Sequence, residues 1–138
     1  MAGGNIVVFE NEIPEIEFRQ ILHHADILWS PLQINTSIYD GIPEIYGQTK
    51  NSGNTHDAVR FAKPMIIPQH LQTAKEIEDS VLRYTDKKSF VSLILALQNN
   101  YETVIALQQN AIKNAKQFTI DKVASKFKEM LDGLSISH

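Results

Sequence analysis

Apolar and polar positions along the chain switch between a period of about two and a period near 3.6, which predicts strands separated by helices. Asn5–Phe9 is a short β-rich run (Asn-Ile-Val-Val-Phe) that predicts a strand with both faces covered. Pro14 opens a stretch with Glu15 and Glu17 in its first turn and Phe18, Ile21 and Leu22 as an apolar stripe, which predicts a helix. Asp26–Ser30 predicts a second strand, ended by Pro31. From Leu32 to Asn51 the pattern is irregular and holds Asp40-Gly41 and Pro43. A loop of that length inside a compact domain is more often functional than idle. A helix from Asn54 to Ala62, a strand at Met65–Ile67, a helix from Leu71 to Ser80 and a short edge strand at Val81–Tyr84 follow. Beyond Phe90, Leu93, Ile94, Leu97, Tyr101, Val104, Ile105, Ile112, Ala115 and Phe118 recur at helical spacing, with a break at Asn99-Asn100. A last helix is expected from Asp121 to Leu131, closed by Gly133.

This order predicts an α/β fold: a partial Rossmann-like parallel sheet of three or four strands with flanking helices and a helical C-terminal tail. The chain reads as one partial domain over residues 1–138, with an α/β part at 5–84 and C-terminal helices at 85–134. So thin a sheet is little cover for so much apolar helix. The chain is therefore expected to be the second half of something larger. It is also expected to form a homo-oligomer that buries the first strand or the C-terminal helices.

Composition narrows the function classes. With 43% hydrophobic and 21% charged residues, the chain has the make-up of an ordinary globular domain. Its formal charge of −3 gives no basic footprint, so no nucleic-acid partner is expected. Lys113, Lys116, Lys122, Lys126 and Lys128 alternate with Asp121 and Glu129 and read as a solvated helix face. The absence of cysteine excludes disulfides, thiolate metal sites and cysteine nucleophiles, and is compatible with a cytoplasmic setting. No apolar run predicts a transmembrane segment, and Met1-Ala2-Gly3-Gly4 lacks the features of a signal peptide.

Candidate chemistry concentrates between Glu44 and Pro68. Open parallel sheets bind ligands beyond the carboxyl ends of their strands, where the segment after Trp29-Ser30-Pro31 belongs. Ser52-Gly53, just ahead of a helix, offers backbone N–H groups that could cradle a diphosphate, or forms a plain loop-to-helix turn. Lys50 beside it is a phosphate partner or a solvated lysine. Asp57 could accept hydrogen bonds from a ribose diol, or could complete a capping box with Asn54. Glu44, next to Tyr46 and Gly47, could bind sugar hydroxyls or decorate a loop. His23-His24 suits a helix end. His56 and His70 lack metal-ligand spacing, so no metal or other cofactor is expected, and Ser30 lacks a nucleophile-elbow context.

Taken in order, these residues resemble the nucleotide-sugar-binding C-terminal domain of a glycosyltransferase of the two-domain GT-B fold. Glu44-x-Tyr46-Gly47 resembles the family's Glu-x-Phe-Gly element. Asp57-Ala58 with Lys63-Pro64 resembles its Glu-Ala…Gly-x-Pro element, with Asp for Glu and Ala62 in place of the usual Gly. The resemblance implies a UDP- or GDP-sugar donor. Lys50, Ser52 and Gly53 would hold its diphosphate, Asp57 its ribose, and Glu44, Tyr46 and Gly47 its sugar. It also implies transfer to a hydroxyl acceptor bound by an N-terminal domain that is missing here, so the isolated chain would not turn over. The competing expectation is a non-catalytic α/β interaction module that uses its helical tail, motivated by the apolar stripe from Phe90 to Phe118.

Overall fold

The computed structural model describes residues 6–39 and 41–135, with side chains to 134. Its core is a parallel sheet of three strands in the order β1 (Leu28–Trp29), β4 (Met65–Pro68), β5 (Val81–Tyr84). Helix α1 (Glu15–His24) precedes β1, and α2 (Gly53–Arg60) crosses from β1 towards β4. A 3-10 helix (Lys75–Ser80) leads into β5, and α3 (Lys87–Asn99), α4 (Tyr101–Ala115) and α5 (Ile120–Ser135) follow. The expected α/β class with a helical tail is what the chain adopts.

The period-two pattern of β4 divides the core into two layers. Met65 and Ile67 pack with Ala58 of α2 and Leu71, flanked by Leu28, Leu32, Ile34, Tyr46 and Val81. Ile66, between them, points the other way into Leu97 of α3 and Val104 and Leu107 of α4. β4 is central and buried on both faces, which explains its continuous apolar run. α3 starts at a capping box in which Asp86 accepts from the Ser89 N–H at 2.7 Å and the Ser89 hydroxyl bonds the Asp86 backbone. Tyr84 and Trp29 both pack on Phe90, fastening α3 to the sheet. No single helix among the described residues is long and apolar enough to cross a membrane. The helical segments Lys87–Asn99 and Tyr101–Phe118 are bent by 99°.

Several local expectations are corrected. Asn5 lies outside the described residues, and Ile6–Phe9 form no strand, with Ile6 90% and Val8 78% exposed. β propensity measures fit to a pleated, half-buried surface, and this run has no neighbouring strand to supply one. The segment read as irregular contains an antiparallel pair of strands, β2 (Asn35–Ile38) and β3 (Ile42–Ile45). Its polar β2 and its Pro43 hid it, although Asp-Gly is itself a hairpin signal. Residues 71–74 are not helical, and the helical turn starts only at Lys75. Gly133 lies inside α5 rather than closing it.

Candidate functional site

α2 begins at Ser52, whose backbone is extended and whose hydroxyl oxygen accepts from the Asn54 N–H at 3.3 Å. Ser52 is therefore the N-cap, and the Asn54/Asp57 capping box does not form. Instead the Asn54 side-chain amide donates to the Ser30 hydroxyl at 2.6 Å, tying the start of α2 to the end of β1. Ahead of the helix, residues 46–50 close a tight turn in which the Gly47 N–H donates to the Lys50 carbonyl at 2.8 Å. Gly47 adopts a φ of +85°. A Cβ there would stand 2.7 Å from the Gln72 carbonyl oxygen and 2.8 Å from its nitrogen. Only glycine lets these two backbones come so close.

Between this turn, one face of α2 and the loop after β4 lies a cavity of about 650 Å³. Gly47, Asn51 and Ser52 line its entrance to α2, Thr55, His56, Val59 and Arg60 its helical wall, and Leu71–Ala74, Ile77 and Phe118 the opposite side. The walls come from the segments that leave the carboxyl ends of β1 and β4, where parallel sheets offer ligand sites. The size suits a small organic ligand.

No protein-family model, curated protein or solved structure matches this chain.

Of the residues singled out from the sequence, Gly47 and Ser52 line the cavity, whereas Glu44, Tyr46, Lys50, Gly53 and Asp57 are not among its lining residues. Glu44, Tyr46 and Lys50 do come together beside it. Lys50 Nζ donates to Glu44 at 3.0 Å and sits 5.2 Å from the Tyr46 ring centroid. The hydrogen bond to Glu44, aided by that carboxylate's charge, holds the Lys50 ammonium above the ordinary lysine pKa against the opposing effect of desolvation. Asp57 is half-buried on α2, and its carbonyl accepts from the Phe61 N–H at 2.9 Å. His23 stacks edge-on against Phe61, and its carbonyl accepts from Lys63 at 2.8 Å, so it serves packing, as expected for a helix end. Among the described residues no group of three His, Asp or Glu side chains could hold a metal ion.

His56, weighed from the sequence only as a metal ligand, and Arg60, not singled out there, both line the cavity. Ser52, His56 and Arg60 recur every four residues and so share one helical face, a spacing that was legible. Arg60 approaches Glu15 at 3.4 Å, while Arg19 holds the same carboxylate at 2.7 Å. The sequence reading missed the clamp on the cavity's far wall. Arg83 of β5 donates to the carbonyls of Gln69 at 3.3 Å and Leu71 at 2.5 Å, to Thr73 Oγ1 at 3.0 Å and to Glu78 at 2.7 Å. Thr73 donates to the same Glu78 carboxylate.

Burial pushes the Glu78 carboxyl up, but the hydrogen bonds from Arg83 and Thr73 and the Arg83 charge outweigh it, and the net shift is downward. A depressed carboxylate contributes stability that is present above its unfolded pKa and lost as pH falls through the folded one. Glu78→Gln should therefore melt below the parent at neutral pH. The gap should close as pH drops below about 4.3, the usual glutamate value. Melting curves across acid pH check this, and a gap constant with pH would show that the charge of Glu78 contributes nothing.

Proposed function

We propose that the chain is the donor-binding part of a GT-B-type glycosyltransferase and that its cavity takes a nucleoside diphosphate-sugar. The observation that carries this reading is the cavity itself, set beyond the carboxyl ends of parallel strands and running along α2 from its N-terminus. There the helix dipole favours a diphosphate. His56 and Arg60 add donors along the wall, and an incoming phosphate would compete with Glu15 for the Arg60 guanidinium. Lys50, held by Glu44, and Gly53 stand beside the cavity rather than in its lining and would reach the diphosphate from there. Asp57, next to the lining residue His56 on α2, would take the ribose hydroxyls, and Glu44 and Tyr46, beside the cavity, would meet the sugar together with Gly47. In the intact enzyme these groups would stabilise the charge that develops on the departing diphosphate. An N-terminal domain would present the hydroxyl acceptor. A cytoplasmic location belongs to the same proposal.

Isothermal calorimetry with UDP and GDP tests the reading. One of the two should bind, and Arg60→Ala should weaken it roughly tenfold, the effect of losing one exposed charged hydrogen bond. Asp57→Ala should weaken binding without lowering the melting temperature, because Ser52 and not Asn54–Asp57 caps α2. Absence of heat with either nucleotide at millimolar concentration would leave the proposal without support.

A further inference from the structure

α5 carries an apolar stripe that its own chain leaves largely uncovered. Every described side chain from Ile120 to Leu134 is exposed. Along the stripe Ile120 is 86%, Val123 50%, Phe127 56%, Met130 54% and Leu134 64% exposed. These positions recur at alternating spacings of three and four, the seam of a helix built to pair with another helix. Lys126, beside the stripe, reaches Glu76 of the body at 3.2 Å.

We propose that α5 pairs antiparallel with α5 of a second copy of this chain about a two-fold axis. The stripe is complementary to itself in that orientation. Val123 faces the partner's Leu134 and Phe127 faces the partner's Met130, and the same contacts repeat by symmetry. Each layer sets a larger or stiffer side chain against a smaller or more adaptable one, and a Met thioether packs well on an aromatic ring. The body joins α5 at its N-terminal end, so antiparallel pairing places the two bodies at opposite ends, while parallel pairing would crowd them.

Charge argues for a protein partner over a lipid surface. Lys122, Lys126 and Lys128 are balanced on this helix by Asp121, Glu129 and Asp132, so it offers no net positive charge to an anionic membrane. Covering the stripe removes on the order of 500 Å² of apolar surface from each copy. That brings the pair to roughly the 1,000 Å² at which a specific interface begins, so the dimer is a reversible one.

The chain has no cysteine, so single thiols can report the register. Val123→Cys and Leu134→Cys, mixed and mildly oxidised, should give a disulfide-linked heterodimer, while Val123→Cys alone should stay uncrosslinked. Sedimentation of the parent should show a monomer–dimer equilibrium that Phe127→Asp abolishes and Ser125→Asp, on the opposite face, leaves intact. Since Phe127 is already exposed, its replacement should leave the monomer folded, and circular dichroism checks that. A monomer at every concentration up to about 1 mM overturns the proposal. So does a dimer that survives Phe127→Asp, or self-crosslinking of Val123→Cys, which means a parallel pair. Binding to phosphatidylglycerol vesicles that Phe127→Asp removes, without any dimer, would assign the stripe to lipid instead.

Discussion

Replacing Gly47 by Ala is expected to destabilise the protein by about 3 kcal/mol, because two independent costs fall on one methyl group. The first is conformational. Gly47 sits at φ +85°, a region that an L side chain enters at a cost of roughly 1 kcal/mol or more. The second is steric. The new Cβ would lie within 2.8 Å of both the nitrogen and the carbonyl oxygen of Gln72, which are backbone atoms that no rotamer change can move aside. The turn at 46–50 or the loop at 71–74 must shift, and both border the cavity. A melting temperature lower by on the order of 10 °C should therefore accompany loss of any ligand the cavity takes. Gly41 supplies the control. Its φ of +88° carries the same backbone cost, yet nothing lies within 4 Å of its Cβ position, so Gly41→Ala should cost only about 1 kcal/mol. Equal losses at the two sites would show that the close approach to Gln72 contributes nothing.

Arg83→Met is expected to cost about 2 kcal/mol and to loosen residues 69–74 without disturbing the sheet. Methionine keeps much of the stem but removes the guanidinium bonds to the carbonyls of Gln69 and Leu71 and leaves Glu78 with the Thr73 hydroxyl alone of this pair of donors. Several charged hydrogen bonds would suggest a larger figure. The Arg83 side chain is 26% exposed and its partner Glu78 44%, so water takes over part of the lost bonding. Arg83→Lys should recover less than half of the loss, because one ammonium cannot reach acceptors spread over Gln69, Leu71, Thr73 and Glu78 as a planar fork does. Denaturant titration gives the stability change, with an unchanged slope if only the loop is released. Faster amide exchange confined to residues 69–74 would locate it. Parental stability and exchange in Arg83→Met would mean that packing of Leu71 alone holds the loop.

Both predictions concern residues whose importance was only half visible beforehand. Gly47 stood out beside Tyr46, but as a sugar contact suggested by resemblance. Its approach to Gln72 spans 25 positions of chain and leaves no local trace. Arg83 looked like a charged residue on an edge strand, which it is. Its acceptors are carbonyls, and sequence patterns do not show which carbonyls lack partners. The Asn54–Asp57 spacing imitated a capping box, yet Asn54 was drawn to Ser30, just past the end of β1, and Ser52 took the cap.

Elements whose formation depends on near neighbours were written in the chain. The Pro14-led helix, the Asn99-Asn100 break, the doubly buried Met65–Ile67 strand and the edge strand at Val81–Tyr84 each follow from spacing, turn residues or apolar runs a few positions long. The α/β class followed from their alternation. Tertiary structure alone decided which candidates share a wall. It denied Ile6–Phe9 a strand partner, paired 35–38 with 42–45, set His56 and Arg60 opposite Gln72 and Thr73, and left the apolar side of α5 open. The reason is one of range. Propensity and periodicity act within a turn or two of backbone, whereas a cavity, a clamp or an uncovered face is made by segments that meet only when the sheet assembles.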